Sequence, residues 1–171
     1  MADVRLYREN ITFWLAHPEA FADWENPTAA EMANTNLVHN ITCALNEDGT
    51  SFDLGESETD DSITFCQRAG AQNPTFYNPE IVYEAERSLD PLDANVANLA
   101  FGLMAFPDIE YFAILRVGKD SDEAVAVGDR LKMARVKSDL PVDVGGSGEN
   151  IRIQQNWLSA GDVNWNYEVA A

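Results

Sequence analysis

Cations are scarce in this 171-residue chain, where 11 Lys and Arg stand against 29 Asp and Glu for a formal charge of −18. Charge-driven binding of free DNA or RNA is thereby disfavoured, because nucleic-acid affinity rests largely on cations that neutralise phosphates. An anionic membrane surface is disfavoured for the same reason. Cysteine is nearly absent: Cys43 and Cys66 are too few for a disulfide scaffold. Both read as free thiols in a reducing cytoplasm, Cys43 as a small buried residue in phase with Ile41 and Leu45, although strands joined by the segment between them leave a Cys43–Cys66 bridge open. No apolar run approaches the roughly 18 residues that span a bilayer. The N-terminal MADVRLYREN has no apolar stretch of the signal-peptide kind, so no secretory leader is expected. The two histidines, His17 and His39, are distant in sequence, and neither has a metal-ligand partner at helical or hairpin spacing. His39 falls on the apolar face of its segment and reads as a core or interface residue.

The remaining composition, 46% apolar, is enough for one sizeable core, so residues 1–171 read as a single domain. Its most distinctive stretch runs from Asn46 to Ser62, NEDGTSFDLGESETDDS, with Glu47, Asp48, Asp53, Glu56, Glu58, Asp60 and Asp61 and no Lys or Arg. It reads as a long acidic loop between strands, outside the core, with a composition that favours ordering on a partner over packing by itself.

Hydrophobic alternation predicts a mainly β protein. In DVNWNYEV, Val163, Trp165, Tyr167 and Val169 share one face, and the preceding IRIQQNWL places Ile151, Ile153 and Trp157 on one face, with a hairpin turn at Ser159–Asp162. Leu37 to Leu45 alternates as a further strand, and SITFC and TFYNPEIVYEAER follow the acidic stretch, the last interrupted at Asn78-Pro79. EYFAILRVG is bulky and apolar on both faces and must be covered on both sides, beyond a single sheet. One helix is expected in PLDANVANLAFGLMAFP, with Asp90 as cap, Pro91 in the first turn, an apolar face of Leu92, Val96, Leu99, Leu103 and Phe106, and a stop at Pro107.

Six of the eleven cations lie between Arg116 and Lys137, including Arg130, Lys132, Arg135 and Lys137. Such concentration, set against an arm with none, suggests complementary surfaces on copies of the same chain.

Catalytic signatures fail one after another. GGSGEN has no Lys-Ser/Thr for a phosphate loop, and Glu149 stands where a nucleophile elbow around Ser147 needs glycine. DSDEAVAVGD spaces Asp120 and Asp122 as in a calcium loop, but Ala124 and Val125 break the pattern. Glu84 and Glu86 share a strand face as a glycosidase pair would, yet with 29 acids such pairs arise by chance. No enzyme, cofactor or metal is expected.

RLYRENITFWLAHP, PTAAEM, ITCAL, DSITFCQRAG, PTFYNPEIVYEAERS, the single helix, SGENIRIQQNWL and VNWNYEV, in this order and spacing, resemble the major tail protein of long-tailed actinobacteriophages along nearly the whole chain. The resemblance implies a tail tube subunit, a β-sandwich or barrel-like fold with one flanking helix similar to the tube protein of type VI secretion systems. It further implies hexameric rings stacked into a tube within the phage virion, an inter-ring loop here carrying Asp48, Asp53, Glu56, Glu58, Asp60 and Asp61, an acidic lumen that DNA crosses without specific binding, and contacts with other tail proteins. Arg130, Lys132, Arg135 and Lys137 are then expected at inter-subunit contacts, with no appended immunoglobulin-like domain and no membrane partner. Two other classes remain: an acidic binding module that mimics DNA for a basic partner, which explains the charge but not the bifacial apolar strand or the long loop, and a small acid-dependent hydrolase, whose two placed carboxylates the sequence does not single out.

Overall fold

The computed structural model describes residues 10–56, 58–60, 73–87, 90, 92–145 and 151–171. Its strands are β1 (Ile11–Ala16), β2 (Val38–Asn40), β3 (Ser51–Leu54), β4 (Glu58–Asp60), β5 (Asn73–Phe76), β6 (Pro79–Glu86), β7 (Glu110–Val117), β8 (Arg130–Ser138), β9 (Val142–Val144) and β10 (Arg152–Glu168). The helices are α1 (Ala29–Met32) and α2 (Val96–Met104). Eight strands form one antiparallel sheet in the order β2-β1-β7-β8-β10-β6-β3, with β9 beside β10, while β4 and β5 pair separately. The fold is thus mainly β with one substantial flanking helix.

The strand EYFAILRV explains the layering. Tyr111, Ala113 and Leu115 of β7 join Leu15, Val136, Ile153 and Trp157 in a cluster closed by Ala100, Leu103 and Met104 of α2. Phe112 and Ile114, on the other face, pack with Trp14, Met133 and Tyr167 under Ala20, Phe21, Met32 and Val38. Both covers belong to this chain. The segment between β1 and β2 supplies the second cover, so a strand apolar on both faces is satisfied inside one subunit.

That cover is fastened at several points. Thr28 and Glu31 form a capping box on α1: the Glu31 amide donates to Thr28 Oγ1 at 3.2 Å and the Thr28 amide to Glu31 Oε2 at 2.9 Å. The chain's last residues then bind it, the Ala170 amide donating to the Pro27 carbonyl and the Ala29 amide to the Ala170 carbonyl.

Four local readings differ from the structure. The C-terminal hairpin is one strand, β10, because the turn residues Ser159–Asp162 form a bulge with Gly161 at φ +107° instead of reversing the chain. A second irregularity between Asn164 and Tyr167 moves the inward face, so Val163 and Trp165 pack in the α2 cluster and Tyr167 and Val169 in the other. α2 begins at Asn95, whose side chain accepts from the Asn98 amide at 2.9 Å, while Asp90 accepts from the Leu92 amide in a preceding turn. Leu92 is therefore 91% exposed and Phe106 62% exposed, and Ala100, Leu103 and Met104 make the buried face. The Leu37–Leu45 strand holds only over β2; a 3-10 turn at Thr42–Ala44 follows, which buries Ile41 and Ala44 but leaves Cys43 exposed. Cys66, SITFC and Gly146–Glu149 lie outside the described residues.

Candidate functional site

The two carboxylates paired by spacing differ in their surroundings. Glu84 is buried and engaged, accepting from Arg152 Nη1 and Asn46 Nδ2 at 2.8 Å each, whereas Glu86 is exposed. Among the described residues no group of three or more His, Cys, Asp or Glu is placed to hold a metal ion.

The calcium-like spacing has a physical basis of another kind. The loop from Gly118 to Asp129 closes around the Arg116 guanidinium, which donates to the Asp120 and Glu123 carbonyls at 2.7 Å each, to Asp129 Oδ2 at 3.3 Å, and to the Ala124 carbonyl and Thr12 Oγ1 at 3.4 Å. The Trp14 ring lies 5.3 Å from it. A cation does sit among the loop's oxygens, and the chain itself provides it. Burial disfavours the charged Asp129 carboxylate, but hydrogen bonds from Lys119, the Ala126 amide and Arg116 outweigh that and hold its pKa below the ordinary value.

The four cations of β8 divide into two groups. Arg135 bridges Glu110 at 2.7 Å and Asp162 at 3.2 Å, and Lys137 meets Asp108 at 3.0 Å, all within the chain. Lys132 lies 5.6 Å over the Trp165 ring, and Arg130 is exposed, with no ion pair to a described residue. Arg130 and Lys132 are the more available pair for a neighbour.

The acidic stretch is not one loop. Its middle forms β3 on the edge of the main sheet, opposite β6, and Phe52 is buried in the α2 cluster. Asp48, Asp53 and Glu56 are exposed around it, Glu58 and Asp60 fall in β4, and Asp61 lies outside the described residues. The sequence reading missed the strand because one buried Phe among carboxylates gives no alternation to detect.

The two histidines, unrelated by spacing, are neighbours in space. His17 and His39 have ring centroids 5.5 Å apart, and the Tyr111 ring lies 5.2 Å from His17. Desolvation and then the nearby His17 hold the His39 pKa below its ordinary value.

One flank of β10 is unusual. β8 pairs with β10 from Trp157 to Glu168, but on the opposite flank β6 stops at Trp157, opposite Ile81. Beyond Glu168 the chain pairs with itself again: Val169 bonds Gly128 and Asp129 toward β8, and Ala170, directed the other way as successive strand residues are, bonds Pro27 and Ala29. Between these two paired ends, no described strand pairs with the second flank of Leu158–Glu168. Beside it lies a groove of about 230 Å³ lined by Leu54, Tyr77, Val163, Asn164 and Trp165.

The described residues form a mainly β protein, a sheet covered on both faces with several ion pairs spent within its own fold. The chain belongs to the phage tail tube protein family, whose model matches residues 1–171. It is accordingly a structural component of the bacteriophage virion, and membership implies assembly with itself and with other tail proteins. No curated protein matches the chain. Among the described residues no helix is long and apolar enough to cross a membrane.

Proposed function

We propose that this chain, made in the cytoplasm of a bacterial host, assembles into hexameric rings that stack into the tail tube of a long-tailed phage, a conduit through which the genome reaches the next host. The observation that carries the reading is the family match over the full 171 residues. The charge supports its finer part. Six copies of a −18 chain give a ring whose free surfaces, channel included, are dominated by carboxylates. A negative wall repels DNA at short range and leaves it mobile, with screening over roughly 10 Å at 0.1 M salt.

In this arrangement the acidic residues Asp48, Asp53, Glu56, Glu58, Asp60 and Asp61 reach toward an adjacent ring, and Arg130 and Lys132 meet carboxylates of neighbouring subunits. Each rim contact contributes only about 0 to 1 kcal/mol, but it recurs at every symmetric interface. The protein turns over no substrate and needs no cofactor. A DNA-binding titration of purified tubes at low ionic strength tests the lining: no binding is expected, and tight, salt-sensitive binding would place the basic segment in the channel.

A further inference from the structure

The chain's only two histidines meet on one face of the sheet. His39 lies in β2, opposite Leu15 of β1, and His17 directly follows β1, its amide donating to the Leu37 carbonyl at 2.8 Å. Main-chain pairing on both sides therefore holds the two backbone positions in a fixed relation, as strands hold a site more precisely than loops do. Leu15 and Tyr111, both buried, lie against the pair, the Tyr111 ring 5.2 Å from His17. Each imidazole is half-buried and keeps part of its surface in solvent.

The ring geometry suits a shared cation. Two imidazoles on one zinc ion, at Zn–N distances of about 2.0 to 2.1 Å and a tetrahedral angle, place their ring centres roughly 5 Å apart. Here the centroids are 5.5 Å apart and the planes are inclined at 80°, so the rings do not stack face to face. Among the described residues neither imidazole is engaged in a hydrogen bond or an ion pair, which leaves ring nitrogens for a ligand.

We propose that His17 and His39 form a two-ligand site for a borderline divalent transition ion, with Zn²⁺ as its representative, that clips β2 to the end of β1. Imidazole nitrogen suits zinc, copper and nickel, whereas the hard ions Mg²⁺ and Ca²⁺ prefer oxygen. No third His, Cys, Asp or Glu among the described residues joins the pair, so water fills the remaining positions and the ion is exchangeable, unlike one in a closed four-ligand site. The surplus of carboxylates, 29 against 11 cations, raises the local concentration of divalent cations around the chain.

The consequence is local. β2 is three residues long and first in the sheet order, and it anchors the far end of the segment that covers the second face of the sheet. An ion that binds only the folded pair stabilises this joint by mass action and is not required for folding. The pair lies within one subunit, so the proposal stands apart from the tube reading.

Calorimetric titration of the full chain with zinc chloride, in excess Mg²⁺ to occupy carboxylates, reads the site. One Zn²⁺ per chain is expected to bind saturably, and His17→Gln and His39→Gln are each expected to weaken it by about tenfold or more. Zinc binding that survives both substitutions would place the ion elsewhere, the cysteines included, and overturn the proposal. Absence of saturable binding by the wild type would overturn it as well. A second arm needs no variant: Cu²⁺ added at one equivalent to the wild-type protein is expected to show coupling to two imidazole nitrogens in pulsed electron paramagnetic resonance, in the free subunit and in assembled protein alike. Coupling to a single imidazole, or to none, contradicts the shared site.

Discussion

The Arg116 guanidinium lies 3.3 Å from the Asp129 carboxylate, and the two side chains are 1% and 9% exposed beneath the loop that joins β7 to β8. Removing Arg116 leaves the Asp120, Glu123 and Ala124 carbonyls without their donor, while Asp129 keeps Lys119 at 2.8 Å. Arg116→Met is expected to cost about 3 kcal/mol in urea unfolding, from the lost charge-assisted hydrogen bonds. A loss below about 1 kcal/mol would mean that the loop is held by other contacts. Because the Asp129 pKa is lowered in the fold, its contribution is present above the ordinary carboxylate pKa and lost as pH falls through the folded value. The acid limb of the stability curve therefore shrinks in Asp129→Asn.

Histidine acts at a higher pH. The folded His39 pKa is lowered, first by desolvation and then by His17, so below about pH 6.5 the unfolded chain binds a proton that the fold resists. Stability declines as pH falls through that range toward the folded pKa. Thermal unfolding at pH 8 and pH 5.5 measures it, and His39→Gln is expected to flatten the difference. An unchanged slope would assign the dependence elsewhere.

β3 is a short edge strand in an acidic stretch, yet its one aromatic residue sits in the core. Phe52 packs near Phe13 and Trp165, with ring centroids at 6.4 and 5.2 Å. Phe52→Ala is expected to destabilise the subunit by about 3 kcal/mol in chemical denaturation. Asp53→Asn, exposed on the same strand, is expected to change it by less than about 0.5 kcal/mol.

The cations separate by experiment as they do in space. Arg135→Glu replaces a bridge to Glu110 and Asp162 with a third carboxylate and is expected to lower subunit stability by about 1 kcal/mol. Arg130→Glu, exposed and paired with no described residue, is expected to leave unfolding unchanged and slow assembly, followed by light scattering. The reverse pattern would move the neighbour contact from Arg130 to Arg135.

Period-based reading found what alternation encodes. The bifacial β7 was legible because bulky apolar residues run over both its faces, the break at Asn78-Pro79 because proline interrupts a strand, and Asp162–Val169 was legible as strand but not as a single buried face. It missed β3, where a single Phe52 carries the burial, and misread β10, where Ser159–Asp162 has turn composition but the pairing with β8 continues past it. The helix start was misplaced because Asp90 and Asn95 are both good caps, and Asn98, bonded to the carbonyls of Asp90 and Asp93, ties the intervening residues into a turn. The His17–His39 contact and the Arg116 cage join residues distant in sequence, so no local pattern announces them. That β6 stops opposite Trp157 while β8 continues along β10 is a property of pairing alone and has no sequence signature.

Assembly itself decides the account. Purified protein at high concentration, viewed by electron microscopy and sized by sedimentation, is predicted to form hollow tubes of stacked six-subunit rings. A species that remains a single 18.9 kDa subunit under all conditions that support tail assembly would contradict it.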